Sequence, residues 1–198
     1  MSRLRFALCC AAACVLLVTA CEKKPQFNAL DITGIAGYGN GFRLTDHNGS
    51  TRTMADFRGK VVVMFFGYTQ CPDVCPTTLS DMRKVMELLR QDSERVQVLF
   101  VTVDPARDTQ ALLSKYVPAF HPAFLGLFGD REATQKVTRD FRIFAQVEPG
   151  KTADSYTVSH TAASLVFNRA GGLRLFVNYG ADPEKIAADI KLLLKGAP

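Results

Sequence analysis

The sequence predicts an α/β protein in which a central mixed sheet has helices packed on both faces. One apolar run, at residues 61–66, is continuous, and a second, at residues 96–103, is interrupted only by Gln97 and Thr102. Such runs are typical of strands that are covered on both sides. A helical pattern follows each run, as in two successive β-α-β crossovers. Because the chain has 198 residues, nearly half of them apolar, we expect one well-packed domain.

Residues 1–20 are predicted to be a lipoprotein signal peptide. They begin with two arginines and continue with an apolar stretch that is too short to span a membrane as a mature helix. The ending Val-Thr-Ala before Cys21 is similar to a bacterial lipobox, so Cys21 is the predicted lipidation site and mature N-terminus. Several acyl chains on one residue give stable membrane anchoring. The alternative is an ordinary secretory signal in which Cys21 is incidental.

Residues 21–40 are polar and rich in glycine, and we expect a lipid-anchored tether followed by a loop or short edge structure. An N-terminal hairpin extension is predicted at residues 42–53. The alternating stretch 42–45 and the stretch 50–53 flank a turn sequence at 46–49 that contains His47. One helical turn at residues 54–57 then leads into the first buried strand.

The first crossover helix is predicted to begin near Thr77. Pro76 agrees with a helix start there, because the first turn of a helix tolerates proline. Cys75 would then lie at the positive end of a helix, which favours thiolate over thiol. The apolar positions that follow recur at helical spacing and include Met82 and Met86. A thioether can bind copper, but this spacing predicts that both methionines pack in the core.

In the second crossover, Asp108 and Thr109 can cap a helix that Pro118 ends or kinks. The remaining predicted elements are a strand at 124–128, a helix at 131–141, extended stretches at 143–146 and 156–158, a hairpin of strands at 163–167 and 173–177, and a closing helix at 183–195. With a thiol pair at the first strand-to-helix turn, this order describes a thioredoxin-like fold. We predict that fold for residues 41–198.

Cys71 and Cys75 are the candidate functional pair. Of the six cysteines, three leave with the predicted signal peptide and Cys21 carries lipid, so these two are the free thiols that remain. In an oxidising exported compartment, a pair this close in sequence closes a very small loop and constrains the unfolded chain little. A redox or metal-binding role is therefore favoured over the alternative, a structural disulfide.

His160 is the candidate third member of the site. Thioredoxin-like oxidoreductases have a cis-proline facing the cysteines, but this chain has no proline between Pro149 and Pro183, and His160 occupies that place. Two thiolates and one imidazole make a soft site that suits Cu(I) and, with a further ligand, Cu(II). The alternatives are a satisfied histidine at the core edge and a general base for a thiol. A closed zinc site is weakly supported, because it needs four ligands.

Other polar residues receive less specific predictions. We expect His47 and His121 at the surface. Asp73 is expected to solvate the cysteine loop, the alternative being that it donates an oxygen to the site. Asp104 either lies near the site or serves as a cap or turn residue after the second buried strand. The chain has 24 basic and 19 acidic residues and no basic block with interleaved aromatics, so we expect no nucleic-acid partner.

Four stretches together, at residues 60–69, 71–76, 103–109 and 156–160, resemble the Sco/SenC family in its bacterial lipoprotein form. The family consists of membrane-anchored, thioredoxin-like proteins implicated in assembling the binuclear copper centre of cytochrome c oxidase. The resemblance implies copper ligation, as Cu(I) or Cu(II), by Cys71, Cys75 and His160. Two positions depart from the family pattern: Ser159 stands where an Asp is common, and Gln110 where a Pro is common.

The resemblance implies a copper metallochaperone that delivers copper to the oxidase during its assembly. Its expected partners are the copper-site subunit of the oxidase, a second periplasmic copper chaperone or thiol reductase, and the membrane through the lipid anchor. The expected location is the bacterial cell membrane, facing the periplasm or the cell exterior.

Two other functions stay open on the sequence. One is a membrane-anchored thiol-disulfide oxidoreductase that reduces the copper-site cysteines of the oxidase. In that case Cys71 attacks, Cys75 resolves, and a Cys71–Cys75 disulfide is the oxidised form. The other is a redox or copper sensor. Whether the protein is an enzyme therefore depends on the balance between metal binding and thiol chemistry.

Overall fold

A computed structural model describes residues 26–39, 41–152 and 155–196. The predicted signal peptide and the predicted lipidation site Cys21 lie outside the described residues. Among the residues that are described, no helix has both the length and the apolar character needed to cross a membrane.

The centre of the protein is a mixed β-sheet. The described residues contain ten strands, with the bounds β1 Leu30–Asp31, β2 Arg43–Asp46, β3 Thr51–Thr53, β4 Val61–Gly67, β5 Val96–Thr102, β6 Leu125–Phe128, β7 Ala145–Glu148, β8 Thr157–His160, β9 Ala163–Phe167 and β10 Leu173–Asn178. Eight of them form one sheet in the order β1-β10-β9-β4-β5-β6-β2-β3. The strands β4, β5 and β6 run parallel, and the other neighbours are antiparallel. The strands β7 and β8 form a separate antiparallel pair.

Helices cover both faces of this sheet, as the sequence predicts. The described part of the chain has four α-helices, with the bounds α1 Val74–Leu89, α2 Gln110–Tyr116, α3 Arg131–Asp140 and α4 Pro183–Leu194. Successive side chains of a strand point to opposite faces, and all seven residues of β4 are buried. Its odd-numbered apolar residues pack with α1, α2 and α4, whereas its even-numbered residues pack with α3.

The predicted N-terminal hairpin is formed by β2 and β3 and extends the sheet beyond β6. His47, at its turn, is buried, so the prediction of a surface position is wrong. The turn packs against β6, and the Gly126 N–H of that strand donates to His47 Nδ1 at 3.0 Å. His121, also predicted at the surface, is half-buried, and its ring stacks on Phe124.

The segment before the hairpin is tied to the domain at two places. The strand β1 pairs with the sheet edge at β10. The N–H groups of Asn28 and Ala29 donate to the buried carboxylate of Asp189 in α4. The described part of the predicted tether and loop therefore includes a short edge strand, one of the two forms expected for it.

Helix α1 begins at Val74, three residues before the predicted start near Thr77. Pro76 is consequently the third residue of the helix. The N–H groups of the first turn have no partner within a helix, so a proline is tolerated there. Cys75 lies inside this first turn rather than before it. The apolar stripe that includes Met82 and Met86 packs in the core, as predicted.

Candidate metal centre

The two cysteines lie where β4 passes into α1. The chain turns after β4, and the Cys71 N–H donates to the Tyr68 carbonyl at 3.2 Å. The Cys75 N–H donates to the Sγ atom of Cys71 at 3.4 Å. The Cys71 sulfur thus accepts one of the N–H groups that the first turn of a helix leaves without a partner. Cys71 is half-buried and Cys75 is fully buried.

His160, the last residue of β8, reaches the cysteines from the separate two-stranded sheet. Its Nε2 atom lies 3.5 Å from the Sγ atom of Cys75. The two sulfurs and one histidine ring nitrogen all lie within 4.8 Å of one another. The structure therefore brings together the three residues that the sequence analysis selects. Within the described ranges, no carboxylate joins them in a group of this kind.

The ring of His160 presents Nε2 to the Cys75 sulfur. Its Nδ1 atom lies 3.1 Å from the carbonyl oxygen of Thr161. Because a carbonyl oxygen only accepts, we assign the ring proton to Nδ1, which leaves the Nε2 lone pair free to bind a metal. Burial lowers the pKa of His160, so the ring is neutral at pH 7. The Tyr68 ring meets the imidazole edge-on, with 6.0 Å between the ring centroids.

Cys75 lies in a closely packed apolar environment. A Cβ atom placed on Gly67 would lie 2.8 Å from the Cys75 sulfur and 3.0 Å from the rings of Phe65 and Phe100. Burial, helped by a hydrogen bond with Cys71, raises the pKa of the Cys75 thiol far above its usual value. The expectation of a favoured thiolate is therefore wrong for Cys75, because desolvation outweighs the effect of the helix N-terminus. A bound cation would reverse this balance.

Two acidic residues near the cysteine loop have separate roles. Asp73 is exposed and accepts a hydrogen bond from the Thr77 hydroxyl at 3.3 Å. Asp104 is buried and accepts from the Tyr156 hydroxyl at 2.8 Å and from Arg107 Nε at 2.5 Å. Its carbonyl also accepts from the Arg107 N–H. Asp104 therefore both closes the turn after β5 and contacts the segment that leads to His160.

Asp108 holds the cysteine loop instead of capping a helix. The cap of α2 is Thr109, whose side chain accepts from the Leu112 N–H. The Asp108 carboxylate accepts from the Thr69 N–H, from the Thr69 hydroxyl at 2.6 Å and from the Thr102 hydroxyl at 2.6 Å. Burial raises the pKa of Asp108. The sequence shows this residue only as a possible cap, because the contact with Thr69 spans 39 positions.

The two departures from the family pattern lie outside this group of three. Ser159 is exposed and pairs with Gln146 of β7. As the neighbour of His160 in a strand, its side chain points to the opposite face. Gln110 is the first residue of α2, and its side-chain amide donates to the His47 carbonyl at 3.4 Å.

Comparisons with known proteins give one consistent family. A family model described as SCO1/SenC matches residues 31–195. Protein SCO2 homolog, mitochondrial, from Danio rerio is 38% identical over 161 residues, covering 80% of this chain and 57% of that protein. SCO2-like protein RP587 from Rickettsia prowazekii is 34% identical over 161 residues, covering 79% of this chain and 78% of that protein. The chain thus spans less than two thirds of the length of the zebrafish relative.

A solved structure extends the likeness to three dimensions. The structure of Bradyrhizobium japonicum ScoI with copper bound is 40% identical and superposes with a TM-score of 0.74. The match covers 79% of this chain and 99% of that one. This likeness confirms the thioredoxin-like fold that the sequence predicts.

Proposed function

Because the chain belongs to the SCO1/SenC family, we propose that it is a copper metallochaperone. It binds copper through Cys71, Cys75 and His160 and delivers it to the binuclear copper centre of cytochrome c oxidase during assembly. The observation that carries the proposal is the convergence of two sulfurs and one imidazole nitrogen within 4.8 Å. The relative from Bradyrhizobium japonicum was solved with copper bound.

The donor set fits copper. Thiolates are soft ligands that select Cu(I), and an imidazole serves both Cu(I) and Cu(II). The neutral His160 ring offers its lone pair without first losing a proton. The Cys75 thiol keeps its proton until a cation takes its place, since its burial disfavours the bare thiolate. Copper binding should therefore release a proton from this residue.

Cys71 supports a delivery role because it is the more accessible of the two sulfurs. An acceptor thiolate can reach copper from this side and replace the ligands of the chaperone one at a time. The oxidase subunit that carries the copper site is the proposed acceptor. For location, we propose a lipid anchor at Cys21 that holds the domain at the bacterial membrane, facing the periplasm or cell exterior. The tripeptide before Cys21 supports this anchor.

Transfer of copper tests the proposed function. The Cu(I)-loaded, reduced protein is mixed without oxygen with the apo copper-binding domain of the oxidase subunit, and copper is measured on each protein after separation. The proposal expects copper on the acceptor, and no transfer from a Cys71→Ser variant that cannot be loaded. Copper that stays on the loaded wild-type protein would contradict delivery.

A second candidate function is thiol-disulfide exchange with the oxidase cysteines. The half-buried Cys71 sulfur, with Cys75 directly behind it, favours this chemistry. The Cys71 thiolate attacks a partner disulfide and one partner sulfur leaves with the electron pair. The Cys75 thiolate then attacks Cys71, so the partner is released as a dithiol and the Cys71–Cys75 disulfide remains. The partner gains two electrons and two protons, and the cysteine pair loses them.

Trapping distinguishes the second function from the first. A Cys75→Ser variant cannot complete the second attack, so it should accumulate a mixed disulfide with an oxidised oxidase subunit. Absence of that adduct would count against the reductase function and leave copper delivery unaffected. A redox or copper sensor would need a signalling partner, and no contact in the described residues favours one.

A further inference from the structure

Arg107 lies between the two segments that carry the proposed ligands. Its Nη1 atom donates to the Gln70 side-chain oxygen at 3.0 Å, directly before Cys71 in the chain. The same nitrogen donates to the Tyr156 carbonyl at 2.9 Å, directly before the strand that ends in His160. One guanidinium nitrogen therefore joins the cysteine loop to the segment that holds the histidine.

The guanidinium is itself fixed on several sides. Its Nε atom donates to the buried carboxylate of Asp104 at 2.5 Å. Its central carbon lies 3.5 Å from the centroid of the Tyr156 ring and 5.7 Å from that of the Tyr68 ring. The Tyr156 hydroxyl donates to the same Asp104 carboxylate at 2.8 Å. Only 14% of the Arg107 side chain is exposed. These contacts fix one orientation of the side chain through Nε and Nη1, while the buried Nη2 atom has no hydrogen-bond partner in the described part of the chain.

The strand that carries His160 needs such a connection. In the described residues, β8 pairs only with β7 and has no place in the eight-stranded sheet. A two-stranded pair by itself is marginally stable in water, and of the four residues of β8 only Val158 is buried in the core. The cysteines, by contrast, follow a fully buried strand of the central sheet. The distance between the sulfurs and the imidazole therefore depends on contacts that hold this pair against the domain.

We propose that Arg107 is a positioning residue of the metal centre, which holds the segment carrying His160 against the cysteine loop so that Nε2 stays beside Cys75. Arginine suits this role because its planar fork bridges two acceptors while it stacks on aromatic rings. A lysine keeps the charge but lacks the fork. The effect on copper binding rests on the proposed function, whereas the position of the ring does not.

The position of the ring is tested first, without metal, by NMR spectroscopy of the reduced full chain. Wild type should show nuclear Overhauser contacts between the rings of Tyr68 and His160. Arg107→Met should lose or weaken them while its far-UV circular dichroism stays unchanged. Arg139→Met, which truncates an exposed arginine of α3, is the matched control and should keep them. Unchanged ring contacts in Arg107→Met would overturn the proposal.

The affinity for Cu(I) is tested next, by competition with a chromophoric chelator without oxygen. Arg107→Met should bind Cu(I) roughly 10- to 100-fold more weakly than wild type, the usual cost of losing a group that orients a ligand. In a His160→Ala background the same change should cost little more, because the arginine acts through the histidine. An equal loss in both backgrounds would show a merely structural role and overturn the proposal.

Two further arms keep the outcome clear. If Arg107→Met does not fold, Arg107→Lys takes its place. This variant should show weakened contacts between the two rings and an affinity for Cu(I) between those of wild type and His160→Ala. Contacts and affinity equal to those of wild type would overturn the proposal. If wild type binds no Cu(I), the proposed function fails, and the metal-free ring contacts alone decide the role of Arg107.

Discussion

The Nε2 atom of His160 lies 3.5 Å from the Sγ atom of Cys75, although the two residues are 85 positions apart in the chain. One partner is an imidazole that burial keeps neutral, and the other is a thiol whose proton burial retains. A soft cation placed between them gains a nitrogen lone pair and replaces the thiol proton. Contacts that keep these two atoms adjacent should therefore control both stability and metal affinity.

Replacing Gly67 by alanine should disturb the site, because the added methyl group would press against the buried Cys75 sulfur. The new Cβ would lie 2.8 Å from the Cys75 sulfur and 3.0 Å from two phenylalanine rings. Because all three neighbours are buried in the core, we expect a loss of about 1–3 kcal/mol in the free energy of unfolding. We also expect weaker Cu(I) binding. Urea denaturation and chelator competition measure the two effects.

Gly41→Ala is the matched control for this substitution. A Cβ atom on Gly41 would meet nothing within 4 Å, and its backbone does not adopt a positive φ. Its free energy of unfolding should change by less than about 1 kcal/mol. Equal free energies of unfolding for Gly67→Ala and Gly41→Ala would show that the packing around Cys75 can accommodate the added methyl group, which would contradict the prediction.

Replacing Asp108 by alanine should release the cysteine loop. The Thr69 N–H and the hydroxyls of Thr69 and Thr102 would lose their shared acceptor. We expect a loss of roughly 2–4 kcal/mol in the free energy of unfolding, since buried donors would be left without partners. Asp108→Asn keeps one side-chain oxygen as an acceptor and should cost less. Urea denaturation measures the free energy of unfolding of both variants. An alanine variant as stable as the asparagine variant would contradict the role of the Asp108 side chain as an acceptor.

The pH dependence of stability should include a term from His47. Burial lowers the pKa of this ring below its ordinary value of about 6.5, and the neighbouring Asp46 opposes the effect only in part. Well above pH 6.5 the ring is neutral in both states. As the pH falls, the unfolded chain takes up the proton first, so the free energy of unfolding decreases down through the pKa of the folded state.

A His47→Gln variant isolates this term. Glutamine has an oxygen that can accept from the Gly126 N–H but no proton to gain. The decrease in the free energy of unfolding between pH 7.5 and 5.5 should be smaller in the variant than in wild type. The difference has an upper limit of about 1.4 kcal/mol per pH unit. Identical decreases in the two proteins would rule out a contribution from His47.

The fold was predictable because its main signals are local. Continuous apolar runs mark the central strands, and helical spacing marks the helices between them. The three residues of the site were also selected from the sequence, since the cysteine pair and the missing proline before the last hairpin are visible there. The predicted start of α1 near Thr77 is three residues late, because the sequence reading takes Pro76 to mark the helix start, whereas Pro76 is the third residue of the helix.

What the sequence did not reveal depends on contacts between distant segments. The residues next to His47 predict a turn and therefore an exposed ring, yet the packing of that turn on β6 buries it. Asp108 is next to a helix start, but its partner Thr69 lies 39 positions away. Arg107 gains its role from Tyr156, which is 49 positions distant. Gly67 has no side chain whose chemistry could draw attention to its contact with Cys75.

An anaerobic copper titration of reduced wild type and His160→Ala tests the central claim most directly. Wild type should bind one copper ion per chain and, with Cu(II), show absorption from thiolate-to-copper charge transfer. His160→Ala should lose that Cu(II) signal and bind Cu(I) more weakly, whereas His121→Ala should behave as wild type. A His160→Ala variant that binds both ions as tightly as wild type would contradict the assignment of His160 as a copper ligand.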